Sequence, residues 1–152
     1  MKKTVVFDMH LTIYKSIPGI KNKLNRDTQA IEAMPSAIEV FMSFYQQGYK
    51  IVIISQSTIQ RSRERLEYLL SQHQVSSEDR KKIFQSIDIL SMQYFGSKHS
   101  AEAWKRAMQS YENIKYIFED GESKLKAAGE AAESLGHKPK LYTSIAEFLE
   151  ES

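Results

Sequence analysis

The run Lys50-Ile51-Val52-Ile53-Ile54 constrains the fold more strongly than any other segment of the chain. It is apolar on both of its alternating faces, which predicts a strand buried on both sides in the middle of a parallel sheet. Neighbouring parallel strands must be joined by crossover connections, which are usually helices. The run therefore predicts an α/β architecture in which helices cover both faces of a central parallel sheet.

Strand and helix patterns alternate along the rest of the chain. Thr4 to Phe7 predicts the first strand, and the remaining strands are predicted at Ile87 to Leu90, Tyr116 to Phe118 and Lys140 to Tyr142. Helices are predicted from Pro35 to near Gly48, over residues 59–72, 102–110, 124–135 and 145–150, and in a short segment from Ser76. Repeated strand–helix units imply right-handed crossovers and a three-layer Rossmann-like fold.

The length of the chain sets its domain organisation. A chain of 152 residues has the size of one domain, so we expect a single domain over residues 1–152. Weak periodicity and the pair Pro18-Gly19 predict a loop from Leu11 to Arg26 that holds at most a short hairpin or helix. Any insert in the domain is therefore small and lies around residues 13–33.

Composition removes several classes of function. The chain has no cysteine, which excludes disulfides, thiolate metal sites and cysteine catalysis. The formal net charge of +2 is too small to indicate nucleic-acid binding by itself. No apolar stretch is long enough to cross a membrane, and Met1-Lys2-Lys3 leads into an apolar run too short for a secretory signal. We therefore expect a cytoplasmic protein without a membrane partner.

Polar residues stand at the ends of three predicted strands. Asp8 follows the first strand, Ser55 follows the run at 50–54, and Asp120 comes soon after the strand at 116–118. Ligands of parallel α/β sheets collect at the carboxyl ends of the strands, so we expect these side chains to converge. Carboxylates suit Mg²⁺, which combines them with substrate phosphate oxygens. A strand-end aspartate can also form an aspartyl-phosphate as a covalent nucleophile.

Four motifs in order resemble those of the haloacid dehalogenase (HAD)-like hydrolase superfamily, of the small-cap or capless phosphatase type. Val5 to Thr12 resembles the first motif, an apolar strand followed by Asp-x-Asp-x-Thr. Ile51 to Ser57 resembles the second, in which Ser or Thr ends a strand. Lys98, within Gly96 to Ser100, lies where the third-motif lysine usually precedes a helix, and Tyr116 to Gly121 resembles the acidic fourth motif. The likeness covers nearly the whole chain and implies a HAD-like fold.

The resemblance implies a role for each matched residue. Asp8 would attack phosphorus and become transiently phosphorylated, while Ser55 would donate a hydrogen bond to a phosphoryl oxygen. Lys98 would offset charge on the nucleophile and the phosphate. Asp8, Asp120 and the backbone carbonyl of His10 would bind Mg²⁺ as the cofactor. The implied protein is a magnesium-dependent phosphatase whose partner is a phosphorylated small molecule or macromolecule.

Two positions depart from the family pattern. His10 replaces the second aspartate of the first motif, which normally protonates the leaving group and then activates water. A histidine can also donate and accept a proton, but its protonated form would be a cation beside a cation. Lys124 stands where many members carry a second acid, for which Glu119 is a candidate substitute. The identity of the third-motif lysine stays open between Lys98 and Lys105.

Three functions remain open at this point. The leading hypothesis is a HAD-like phosphatase, a phosphoric monoester hydrolase, whose site is open because residues 9–54 leave no room for a large cap between Asp8 and Ser55. The alternative is a phosphate- or partner-binding module that kept the fold and lost turnover, since the second aspartate is His10. A weaker option is nucleic-acid end processing, based on the basic segment Arg61 to Arg65.

Overall fold

The protein is described here by a computed structural model over residues 2–17 and 30–152, which contain seven strands and seven helices. The strands are β1 (Thr4–Phe7), β2 (Tyr14–Ser16), β3 (Ile31–Ala33), β4 (Lys50–Ser55), β5 (Asp88–Ser91), β6 (Ile114–Phe118) and β7 (Lys140–Tyr142). The helices are α1 (Ala37–Gln46), α2 (Ile59–Gln72), α3 (Ser77–Ser86), α4 (Met92–Phe95), α5 (Ala101–Met108), α6 (Glu122–Ser134) and α7 (Ile145–Glu151). The predicted α/β alternation is confirmed.

A five-stranded sheet with the order β5-β4-β1-β6-β7 forms the middle layer. Every neighbouring pair in it is parallel, and β1 lies at the centre with all four of its residues buried. Phe7, the last residue of β1, lies opposite Ile53 of β4 and Phe118 of β6. Because these strands run in register, Asp8, Ser55 and the residues after Phe118 leave the same edge of the sheet.

Alternate residues of the central strands enter two separate hydrophobic cores. Phe7 belongs to a core that includes residues of α1, α2 and α7, and its ring stacks on that of Phe118 with centroids 4.9 Å apart. Val6 belongs to the opposite core, where it joins Trp104 of α5 and Ala128 of α6. Helices therefore cover both faces of the sheet, as the doubly apolar central strand predicted.

A small antiparallel ribbon follows β1. In it β2 pairs with β3, so that Tyr14 lies opposite Ala33 and Ser16 lies opposite Ile31. The ribbon falls within the span 13–33 for which a small insert was predicted, while residues 18–29 of that span lie outside the described residues. The assignment of residues 1–152 to one domain stays a prediction.

Prediction and structure differ mainly at the ends of helices. The first helix begins at Ala37 rather than Pro35, because Ser36 has a left-handed backbone with φ of 63° that interrupts the helical path. The helix α4 was not predicted, since its four residues are too few to show a periodic pattern. Among residues 2–17 and 30–152, no helix combines the length and the apolar composition that crossing a membrane requires.

Candidate active site

The carboxyl ends of β1, β4 and β6 surround a cleft of about 220 Å³. The residues that line it are Asp8, His10, Leu11, Ser55, Gln56, Ser57, Lys98, Asp120 and Lys124. The set includes five residues that the sequence analysis selected for catalysis or metal binding, namely Asp8, His10, Ser55, Lys98 and Asp120. It does not include the alternative lysine Lys105 or the candidate substitute acid Glu119. The parallel register brings them together from four separated stretches of the chain.

Asp8 lies in the cleft with 6% of its surface exposed. Its backbone N–H donates to the carbonyl of Phe118 at 2.9 Å, which continues the pairing of β1 with β6 beyond the strand. The Thr12 hydroxyl donates to Oδ2 of Asp8 at 3.3 Å, and the Lys98 ammonium donates to Oδ1 at 2.6 Å. Both carboxylate oxygens are therefore held in place by named donors.

Lys98 reaches Asp8 from the segment between α4 and α5 and is only 1% exposed. The Trp104 indole N–H donates to the Lys98 carbonyl at 2.7 Å, and the ammonium lies 5.5 Å from the centre of the Trp104 ring. The ammonium also donates to Oε2 of Glu119 at 3.2 Å. Lys105, the alternative left open by the sequence, lies in the last turn of α5 and does not line the cleft.

Two buried carboxyl groups share the ammonium of Lys98, and their pKa values move in opposite directions. Burial, followed by repulsion from the Asp8 carboxylate, raises the pKa of Glu119 to about 8. Burial also acts to raise the pKa of Asp8, but attraction to Lys98 and hydrogen bonds from Glu119, Lys98 and Asp120 outweigh it, so this pKa is lowered. Near neutral pH, Asp8 is therefore the ionised partner of Lys98, and Glu119 holds a proton.

The carboxyl oxygens of the site fit a hard divalent cation. Asp8, Glu119 and Asp120 each offer an oxygen, and these oxygens all lie within 4.8 Å of one another. Oε1 of Glu119 is buried and has no hydrogen-bond partner among the described residues, which is costly unless a ligand satisfies it. Burial and the nearby Asp8 raise the pKa of Asp120. Such a group of oxygens matches the ligand preference of Mg²⁺.

His10 is exposed at the edge of the cleft, on a tight turn that follows Asp8. The N–H groups of Ile13 and Tyr14 both donate to the Met9 carbonyl, at 2.8 and 3.2 Å. Leu11 within this turn has φ of 63°, a left-handed conformation that is rare for a bulky residue and that clusters at functional sites. The His10 ring packs against the Tyr14 ring with centroids 5.5 Å apart. This contact restrains the imidazole on one side.

Ser55 ends β4 with 4% of its surface exposed and lines the cleft. Its hydroxyl oxygen accepts a hydrogen bond from the Ser57 N–H at 3.1 Å. The helix that follows is capped by Thr58, whose hydroxyl oxygen accepts from the Arg61 N–H at 3.2 Å. Ser55 is therefore not the cap of α2, and its hydroxyl hydrogen is available to donate into the cleft.

Arg65 of α2 connects β2 to the segment that follows β4. Its guanidinium donates to the Tyr14 hydroxyl at 3.0 Å and to the Ser57 hydroxyl at 3.1 Å. The sequence had placed this residue in an exposed basic segment, in which Arg63 in turn packs over the Phe84 ring at 4.6 Å. These internal contacts leave fewer arginine side chains of the segment free to bind nucleic acid. The sequence does not predict the contacts, because helical periodicity places both arginines outside the apolar stripe.

The hydrogen bond between Arg65 and Tyr14 makes Tyr14→Phe a sensitive test of this bridge. We expect the substitution to lower the free energy of unfolding by about 1–2 kcal/mol, because it removes the hydrogen bond that the charged Arg65 guanidinium donates to the Tyr14 hydroxyl. Urea denaturation would measure the loss, and the effect should largely disappear in an Arg65→Gln background. Tyr94→Phe is the matched control, since Tyr94 is 86% exposed. Equal stability of the Tyr14 and Tyr94 variants would contradict the bridge.

Comparison with solved structures identifies the fold. A HAD-superfamily hydrolase from Ehrlichia chaffeensis aligns with a TM-score of 0.61 and 17% identity, over 99% of this chain and 95% of that chain. The HAD domain of the effector protein Lem4 from Legionella pneumophila aligns with a TM-score of 0.62 and 15% identity, over 99% and 93%. A HAD family hydrolase from Deinococcus radiodurans, solved with bound phosphate and sodium, aligns with a TM-score of 0.57 and 14% identity, over 97% and 93%.

No protein-family model matches the sequence, and no curated protein matches it. The structural likeness nevertheless extends over almost the full length of each chain named above. The chain therefore has the HAD-like fold that its four motifs predicted.

Proposed function

We propose that this protein is a magnesium-dependent phosphohydrolase that cleaves a phosphomonoester through an aspartyl-phosphate at Asp8. The observation that supports it most strongly is the buried Asp8 carboxyl group in a polar cleft, where it accepts a hydrogen bond from Lys98 at 2.6 Å. A lysine and a carboxylate cluster around one strand-end aspartate suit phosphoryl transfer, which depends on positioning and charge stabilisation. The phosphate bound in the Deinococcus radiodurans hydrolase agrees with this use of the fold.

In the first step, a carboxylate oxygen of Asp8 attacks phosphorus, and the bond between phosphorus and the ester oxygen breaks. The electron pair leaves with the ester oxygen, which takes a proton from protonated His10 and departs as an alcohol. Ser55 donates its hydroxyl hydrogen to a phosphoryl oxygen. Lys98 holds Asp8 ionised before the attack and offsets negative charge during it.

In the second step, water attacks the phosphorus of the aspartyl-phosphate. His10, now neutral, accepts the proton that water gives up, and the acyl–phosphate bond breaks with its electron pair returning to Asp8. Inorganic phosphate leaves, and both Asp8 and His10 regain their starting states. The cycle consumes one phosphomonoester and one water, and it forms one alcohol and one phosphate.

Asp8, Asp120 and the backbone carbonyl of His10 are the groups we assign to Mg²⁺, and Glu119 adds a nearby carboxyl oxygen. When bound, Mg²⁺ supplies positive charge beside the phosphoryl oxygens. The raised pKa of Glu119, about 8, means that a cation at this site displaces a proton from the cluster at neutral pH. The apparent affinity for Mg²⁺ is therefore expected to fall as the pH falls.

Release of inorganic phosphate from a broad panel of phosphomonoesters, with and without Mg²⁺, tests the proposal. We expect Mg²⁺-dependent release and a beryllofluoride adduct detectable by ¹⁹F NMR, because beryllofluoride mimics a phosphoryl group on an aspartate. Asp8→Asn protein should form no adduct. Absence of both phosphate release and adduct formation in the wild-type protein would refute the proposal.

The exposed His10 ring supports a second candidate function, a HAD-like module that binds phosphate or a partner and has lost turnover. Since general acid–base catalysis contributes about 100- to 10,000-fold, an active enzyme should lose at least about 100-fold in kcat with His10→Ala. His73→Ala, at the C-terminal cap of α2, is the matched control and should retain full activity. Steady-state kinetics on the best substrate of the panel measure both variants.

The His10→Asp variant separates the two functions, because it restores the aspartate that the family pattern has at this position. An inactive module predicts that wild type and Asp8→Asn are equally inactive and that His10→Asp gains turnover. Our proposal predicts activity in the wild type that both Asp8→Asn and His10→Ala remove, with no large gain in His10→Asp. A large gain from an inactive wild type would favour the module.

A further inference from the structure

Two lysines line the cleft, and only one of them is committed to its carboxyl groups. Lys98 is buried and donates to Asp8 and Glu119 at 2.6 and 3.2 Å. Lys124, in the first turn of α6, is partly exposed in the same cleft, and its side chain makes no hydrogen bond or ion pair within residues 2–17 and 30–152. Its ammonium therefore has capacity for an anion that enters the cleft.

The backbone at Gly121 shows where the Lys124 side chain lies. A Cβ atom added to Gly121 would come within 3.1 Å of Cδ of Lys124, so the aliphatic stem crosses directly over this glycine. The positive charge is also close enough to Asp120 to lower its pKa in part, against the larger effects of burial and Asp8. Lys124 thus places a positive charge on the side of the cleft formed by the segment after β6, beside the carboxyl groups that we assign to Mg²⁺.

The size and polarity of the cleft limit the ligands that Lys124 can contact. Its volume of about 220 Å³ is below the 300–1,000 Å³ typical of pockets that enclose a drug-sized ligand. Leu11 is the one apolar residue among those that line it. The cleft can therefore enclose a phosphoryl group and a few further polar atoms, while the rest of a larger substrate would stay in solvent.

We propose that Lys124 selects phosphomonoesters that carry a second anionic group, a carboxylate or another phosphate, within a few bonds of the ester oxygen. The inference rests on the proposed phosphohydrolase function of Asp8. The charge of Lys98 is already balanced by Asp8, which leaves Lys124 to pair with the second anion. An ammonium acts as a compact point charge, so it can bind either a carboxylate or a phosphate without requiring a planar geometry.

Three probes on one two-carbon scaffold test this inference. Hydroxyethyl phosphate has no second charge, phosphoglycolate carries a carboxylate, and ethylene glycol bisphosphate carries a second phosphate. In wild-type protein we expect kcat/KM for at least one doubly anionic probe to exceed that for hydroxyethyl phosphate by about ten- to a hundredfold, the range of a charge-assisted hydrogen bond. The probe that responds identifies the second group as carboxylate or phosphate.

Variants of Lys124 show whether this residue causes the preference. Lys124→Ala should bring the ratio of kcat/KM values between the probes close to one, mainly by raising KM for the doubly anionic probe. Lys124→Arg should restore most of the ratio. Lys126→Ala is the matched control, because Lys126 is exposed on the same helix and does not line the cleft. A ratio that survives in Lys124→Ala would overturn the inference.

Failure of this inference can be distinguished from failure of the proposed function. If wild type hydrolyses all three probes equally well, Lys124 has no selective role and the phosphohydrolase function stands. If none is hydrolysed, calorimetric Kd values for the probes decide, measured with Mg²⁺ in wild-type and Lys124→Ala protein. A preference in Kd that depends on Lys124 supports a binding role without turnover. Absence of both hydrolysis and preference overturns this inference, whereas the proposed function is decided separately by the phosphomonoester panel and the beryllofluoride adduct.

Discussion

Replacing Asp8 by asparagine is expected to lower kcat/KM for a phosphomonoester by at least about 10,000-fold, because loss of a covalent nucleophile is among the largest single-residue effects in enzymes. That loss corresponds to about 5.5 kcal/mol of transition-state stabilisation. The amide has nearly the shape of the carboxylate but cannot attack phosphorus. Steady-state phosphate release in the presence of Mg²⁺ would measure the change.

The Asp8→Asn protein should remain folded. Lys98 keeps Glu119 as a partner at 3.2 Å, and Glu119 ionises more readily once the neighbouring carboxylate that raised its pKa is gone. The buried ammonium therefore does not lose its counter-charge. Thermal unfolding close to that of wild type would show that the lost activity is not a loss of structure.

Asp88→Asn provides the matched control for Asp8. Asp88 also pairs with a lysine, Lys50, at 3.2 Å and accepts from the Tyr111 hydroxyl at 2.6 Å. It begins β5, at the opposite edge of the sheet from the cleft. Its substitution should leave turnover unchanged. Asp8→Asn activity within tenfold of wild type would rule out Asp8 as the nucleophile.

Lys98→Met is expected to have the largest effect on stability, lowering the free energy of unfolding by about 3–5 kcal/mol at neutral pH. The reason is that the ionised Asp8 carboxylate would stay in a buried site without its cation. Urea denaturation would measure this loss, and kcat/KM should fall with it. The matched control is Lys105→Met, which removes a lysine from the last turn of α5 away from the cleft.

The stability lost in Lys98→Met should depend on pH with a defined sign. The folded-state pKa of Asp8 is lowered, so its ionised form adds stability above the unfolded value of 3.8, and this is lost as pH falls through the folded pKa. The variant lacks the ammonium that produces the shift. The difference from wild type should therefore be full at neutral pH and shrink below about pH 4.

A second substitution checks the cause of the Lys98→Met effect. Adding Asp8→Asn removes the buried carboxylate that Lys98→Met leaves without a counter-charge, and should recover part of the lost stability. Lys98→Met with a stability equal to that of wild type, or no recovery in the double variant, would contradict the buried charge cluster.

The parts of the fold that the sequence predicts follow from strong local patterns. The doubly apolar run at 50–54 predicted β4 and a sheet covered on both faces. Asp8, Ser55 and Asp120 were predictable as neighbours because parallel strands bring their carboxyl ends to one edge. Topology alone therefore specifies which strand-end residues surround the cleft.

Other parts of the site depend on side-chain contacts that have no local signature. The ammonium of Lys98 reaches Glu119 across 21 positions of sequence. Arg65 connects Tyr14 and Ser57 from a helix whose apolar stripe did not include it. The left-handed backbone of Leu11 could not be predicted either, because leucine carries no preference for that conformation. These features arise from the packing of the loops and could not be deduced from spacing.

The most direct measurement of the central claim is mass spectrometry of the protein quenched in acid during turnover of its best substrate with Mg²⁺. We predict a phosphoryl group on the peptide that contains Asp8, stable in acid and released by hydroxylamine, as an acyl phosphate is. The same peptide from Asp8→Asn protein should carry none. Turnover without a phosphorylated Asp8 would contradict the account.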